Sequence, residues 1–214
     1  MMVQSIDLKQ LERKVWTSFF EDGIWDIYLG MLLMAMAVGA LLTDFGVPES
    51  TQMIVYGCLI TTACLFLWVG KRYIVIPRVG RVHFGSKGKS RMGKAIIMLT
   101  ISVLVGFVAF VIAGLCAKGS VPQSLPTELL LPAIWVGNMI IVFSFAAYFL
   151  CFNRLYLIGV MFAVGVPLDI ILREWTHRDL TFVAFGIPAM VILSMGGVVL
   201  VRFLRKYPQL REER

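Results

Sequence analysis

The sequence predicts an all-α membrane protein of six transmembrane helices with both termini on the cytoplasmic side. Three observations predict it. The chain is 59% hydrophobic and only 15% charged, and its mean hydropathy of +0.84 lies well above what a water-exposed surface tolerates. Its apolar residues fall into six runs of 17 to 22 residues, each long enough to cross about 30 Å of hydrocarbon. Its basic residues are gathered between alternate runs.

Residues 1–23 are expected to form a cytoplasmic amphipathic segment. Leu8, Leu11, Val15 and Phe19 recur at helical spacing opposite Lys9, Glu12, Arg13 and Lys14, the pattern of a helix lying in the membrane interface. Gly23 supplies a hinge into the first span. The transmembrane domain then covers 24–201, with spans at 24–42, 53–69, 95–116, 132–152, 155–172 and 181–201. Thr43 to Pro48 closes the outer end of span one, and Ser120 to Pro126 marks the loop between spans three and four. Only Asn153 and Arg154 separate spans four and five, so these two must form a tight antiparallel hairpin. A basic tail, 202–214, follows span six.

Counting the basic residues sets the orientation. With the N-terminus inside, seventeen lie on the cytoplasmic side and three, Lys118, Arg173 and Arg178, on the other, as the positive-inside rule requires. The net charge of +7 therefore needs no nucleic-acid partner. Cys58, Cys64, Cys116 and Cys151 lie in or beside apolar runs without paired spacing, and read as small apolar residues rather than disulfides or metal ligands. The acids ahead of the first apolar run argue against a cleavable signal.

The loop 70–94 is the most unusual segment. It carries eight basic residues and no acid. The β-branched run Ile74-Val75-Ile76, the turn-forming Pro77 to Gly80 and the run Val82-His83-Phe84 predict a short β-hairpin. Arg72, Arg78, Arg81, Lys87, Lys89 and Arg91 are the candidates to bind anionic lipid or a protein partner, each surface cation contributing about 1 kcal/mol toward an anionic leaflet. A simple topology determinant resting on headgroups is the plainer reading of the same charges. Gly85 to Ser90 lacks the leading glycine of a phosphate loop, since His83 stands there.

The motif Phe20-Glu-Asp-Gly-Ile-Trp-Asp-Ile-Tyr-Leu-Gly30, with Ile76-Pro-Arg-Val-Gly-Arg-Val-His-Phe84 two spans later, resembles a group of small prokaryotic integral membrane proteins without an assigned activity. The resemblance covers the first half of the chain. It implies a prokaryotic plasma membrane and a joint role for the two segments, and it carries over no catalytic residue. Glu21, Asp22 and Asp26 would then form inner-face ion pairs with Arg78 and Arg81. Alternatively the three acids cap the first span, where the helix dipole favours negative charge.

Within the spans, Asp169 is the clear ionisable residue, with Arg173 four residues on along the same helical face. Ala163-Val-Gly-Val-Pro167 and Ala184-Phe-Gly-Ile-Pro188 repeat a helix-loosening pattern in the outer halves of spans five and six, and Asn138 lies at similar depth. These residues, Asn138, Pro167, Asp169, Arg173 and Pro188, define a candidate outward cavity, against which stands a local ion pair beside two packing kinks. His177, Glu174 and Asp179 make at most a weak metal site.

Two functions compete. One is a non-enzymatic binding or accessory component, engaging membrane lipid, a protein partner or a second copy at the cytoplasmic face. The other is a small transporter or channel using the site near Asp169. Neither implies a cofactor, and an enzyme is disfavoured by the shortage of buried acid and base groups.

Overall fold

The computed structural model describes residues 22–79, 86–117 and 127–207, and among them every regular element is helical. The N-terminal amphipathic segment, Glu21, Arg81 and the tail beyond residue 207 lie outside the described residues, as does the 118–126 loop. Six long helices follow one another: α1 (Ile24–Asp44), α2 (Glu49–Val69), α3 (Ser86–Ala117), α4 (Thr127–Leu150), α5 (Arg154–Thr176) and α6 (Thr181–Lys206). Five segments are long and apolar enough to cross a membrane, Ile24–Asp44, Glu49–Arg78, Pro132–Leu150, Arg154–Thr176 and Thr181–Lys206. In α3 the described apolar part is the shorter Ile96–Ala109. The protein is a multi-pass helical membrane protein.

One expected element is corrected. Ile74 to Val79, read as the first strand and turn of a hairpin, is helical: α2 runs on through a π-helical turn, Gly70–Val75, and one α turn, Ile76–Val79. The cause is one-sided burial. Val75 packs with Ile24 and Phe203 in a small core, flanked by Phe66, Leu67 and Leu200. A helix satisfies its own backbone there, whereas a two-stranded ribbon would be marginal alone. Residues 80–85, the rest of the expected hairpin, lie outside the described residues.

The helices are laid out in the order α2, α1, α6, α5, α4, α3, each packed chiefly on its neighbours in that series. Consecutive helices α2 and α3 thus stand at opposite edges, and both are largely exposed along their apolar length, as Ile54, Leu65, Ile97, Leu99 and Phe107 show. In water this would be untenable; in lipid it costs nothing. The main core lies between α1, α4, α5 and α6, around Leu33, Ala37, Ile158, Phe162, Phe185 and Ile192.

Turn chemistry fixes the connections. α1 ends with the Phe45 and Gly46 amides donating to Leu41 and Thr43 carbonyls, and Gly46 takes a φ of +67°. At the α4–α5 hairpin the Phe152 amide donates to Ala147 O at 3.0 Å, while Cys151 adopts the left-handed φ of +54° that such a helix stop requires. Phe152 is thereby returned to the core. Pro132, Pro167 and Pro188 all remain inside helices. The indole of Trp135 donates to Phe162 O at 3.1 Å, one residue from the carbonyl that Pro167 leaves without its helical partner.

Candidate functional site

The up-and-down course of the helices brings the start of α1, the end of α2, the α4–α5 hairpin and the end of α6 to one pole. Charge is concentrated there. The buried charged residues of the described chain are Asp22 and Asp26, both 0% exposed. Gly23, at φ +78°, turns the backbone between them, so both carboxylates enter the helix packing instead of facing solvent.

Asp22 serves two purposes. One oxygen accepts from the Ile24 amide at 3.0 Å, capping α1, and the other pairs with the Lys71 ammonium. Asp26 pairs with the Arg154 guanidinium, which also lies over the Phe152 ring at 5.1 Å. α1 is therefore tied by one carboxylate to the π turn after α2 and by the other to the first residue of α5. Charged hydrogen bonds of this kind are the stronger class, and in low dielectric each ion requires its partner. The second oxygen of Asp26 and the Nε of Arg78 are buried without a hydrogen-bond partner among the described residues.

These partners differ from the expected ones. Arg78 joins neither acid, and Glu21 and Arg81 lie outside the described residues. Sequence reasoning missed Lys71 and Arg154 as partners because both had been absorbed into the positive-inside count. A usable signal existed for Arg154: a two-residue connection between spans leaves its cation at the depth of the flanking helix ends.

Around the ion pairs the same pole carries Arg72, its guanidinium 5.1 Å from the Trp68 ring centre, and Lys94, 5.9 Å from that of Phe149. Lys87, Lys89 and Arg91 belong to the first two turns of α3, Arg205 and Lys206 to the last turn of α6, and Arg202 to the turn before it. Here Trp25 of α1 and the end of α2 with the π turn after it border an open groove of about 520 Å³, lined by Trp25, Cys64, Leu67, Trp68, Lys71, Arg72 and Ile76.

At the opposite pole Asp169 is engaged on both oxygens. Thr181 Oγ1 donates to Oδ1 at 2.7 Å, and Arg173 Nε lies 3.2 Å from Oδ2. Arg173 also reaches Asp179 at 3.1 Å and the Thr181 hydroxyl at 3.0 Å. The cluster staples α5 to α6. Pro188 is buried in α6, and Asn138 is half-buried on α4. A cavity of about 570 Å³ on this side of α6 is lined by Met34, Phe182, Gly186, Ile187, Met190 and neighbours, and another of about 330 Å³ lies between α3 and α4. None of Asn138, Pro167, Asp169, Arg173 or Pro188 lines any of these three cavities.

Because Arg173 is 52% and Asp179 62% exposed, this network is worth little. Asp169→Asn, which keeps an acceptor for Thr181, is expected to cost less than about 1 kcal/mol in an unfolding titration. A loss several times larger would mean that Asp169 does more than staple two helices.

Among the described residues no group of three His, Cys, Asp or Glu side chains gathers as a metal ion would need, and His177 stands at the pole remote from Asp22 and Asp26. Comparison with family models, curated proteins and solved structures finds no match for this chain.

Proposed function

We propose that this protein is a non-enzymatic component of a prokaryotic plasma membrane, with six spans and both termini inside, that engages anionic lipid at its cytoplasmic face. The observation that carries the reading is the pole of Asp22, Asp26, Lys71 and Arg154. The two buried acids consume two cations in fixing the helices, and Arg72 and Lys94 at that pole carry no carboxylate partner among the described residues. A basic rim around helices tied by two internal ion pairs suits an anionic leaflet, which attracts each surface cation by about 1 kcal/mol. The same rim at the membrane surface would also hold a protein partner or a second copy near the bilayer.

The lipid reading is preferred to the transporter reading because Asp169 is held by Thr181 and Arg173 and lines none of the three cavities described. The test is thermal unfolding of the purified protein in phosphatidylcholine nanodiscs with and without phosphatidylglycerol. Ligation at saturating lipid is expected to raise Tm by about 5 °C. Identical transitions in the two membranes would overturn the reading.

A further inference from the structure

Lipid attraction by a basic rim is diffuse, but the groove between α1 and α2 is a defined place. Its floor and walls are apolar: Leu67, Cys64, Ile76 and the two indoles of Trp25 and Trp68. Tyr28, one turn further along α1, touches two of the lining residues, its hydroxyl 4.0 Å from Cys64 Sγ and its ring edge-on to Trp25 at 5.9 Å. The other end opens at the basic pole between Lys71 and Arg72. From Arg72 back to Cys64 the groove follows the helix for about 12 Å, most of the roughly 15 Å hydrocarbon depth of one leaflet. Its volume of about 520 Å³ lies within the ordinary range of small-molecule sites.

The two cations at its mouth are in different states. Lys71 is committed to Asp22, so that pair presents no net charge. Arg72 is exposed, has no carboxylate within reach among the described residues, and lies over Trp68. A guanidinium held over an indole by the ring's negative face can still meet a phosphate through its N–H groups in a forked geometry. Trp25 and Trp68 themselves are residues suited to the headgroup level, one side apolar and one end polar.

We propose that this groove binds one anionic phospholipid, with an acyl chain along Leu67, Cys64 and Trp25 and the phosphate at Arg72. Charge complementarity selects the occupant. The groove is apolar where a chain lies and carries, where a headgroup lies, a cation that has no carboxylate partner among the described residues. The larger cavity on α6 is apolar nearly throughout, with Ser194 its polar side chain, and offers no such mark.

The proposal rests on the reading of the basic pole as a lipid-facing surface, and the experiment separates the two. Intrinsic tryptophan fluorescence is measured in phosphatidylcholine vesicles containing a small fraction of brominated-chain phosphatidylglycerol or, in parallel, brominated-chain phosphatidylcholine. Bromine quenches an indole only in contact, so a filled groove gives excess quenching by the anionic lipid. The excess is expected to vanish in Trp25→Phe/Trp68→Phe. It is expected to shift to about fivefold higher anionic lipid in Arg72→Gln, the loss of one cation's attraction, and to move less in Arg205→Gln, which lies outside the groove. Equal quenching by the two brominated lipids overturns the groove, as does an excess that Arg72→Gln leaves unmoved or that Arg205→Gln moves equally. In those cases a Tm that still rises with phosphatidylglycerol keeps the broader reading, whereas its failure to rise removes both.

Discussion

Replacing Asp26 with alanine is expected to lower the stability of the folded protein by about 3 kcal/mol, the cost of breaking a buried ion pair by removing one member. Asp26 is 0% exposed and Arg154 26%, so solvent recovers only part of what the guanidinium loses. The second oxygen of Asp26 works the other way: alanine removes a buried acceptor that has no partner among the described residues, which caps the loss. Arg154→Ala should cost at least as much, since it leaves the fully buried carboxylate alone. The decisive measurement is the double variant in a reversible detergent or nanodisc unfolding titration. Asp26→Ala/Arg154→Ala is expected to be no less stable than the worse single variant, a coupling of about 3 kcal/mol. Additive losses would show that the two side chains act separately, and would remove the clamp between α1 and α5.

How much of this was readable beforehand depends on the kind of interaction. Helix positions followed from a local quantity, the length of an apolar run, and α1, α5 and α6 begin at or next to the residues where hydropathy alone starts them, Ile24, Leu155 and Thr181. The α4–α5 turn was equally legible, because two residues cannot connect antiparallel helices in another way. The Ile74–Val79 error has a physical source: β-branched residues with a following Pro–Arg–Val–Gly have the composition of a strand and turn. Their conformation is decided instead by Ile24 and Phe203, which lie about fifty residues upstream and more than a hundred downstream. Ion-pair partners are invisible for a similar reason. Asp22 reaches Lys71 and Asp26 reaches Arg154 across other helices, and no spacing rule ranks these cations above Arg78. Asp169 and Arg173 were found because four residues along one helix is a local distance. Their binding to Thr181 on α6 was not.

The backbone-to-backbone approach of α1 and α6 supplies the sharpest contrast. Gly196→Ala is expected to destabilise the protein by about 2 kcal/mol, while the adjacent Gly197→Ala changes stability by less than about 0.5 kcal/mol. A Cβ on Gly196 would meet the backbone nitrogen and Cγ1 of Ile27 at 2.8 Å and Asp26 Cβ at 3.0 Å; one on Gly197 would meet nothing within 4 Å. The approach is mutual, since a Cβ on Gly23 would lie 2.6 Å from Gly196 O and 2.8 Å from the Leu200 amide nitrogen. Backbone cannot swing aside as a side chain can, so the added methyl must push α1 from α6. Small residues at such contacts are how helices in lipid gain packing energy without a hydrophobic driving force between them. The displaced helix is also the one that carries Asp22 and Asp26, so the methyl strains both ion pairs. Consequently Gly196→Ala should lose much of its cost in the Asp26→Ala/Arg154→Ala background, where α1 is no longer tied to α5. Equal effects of Gly196→Ala and Gly197→Ala would sink the close-packing account. An undiminished cost in the double-variant background would show that helix contact and charge clamp are independent supports.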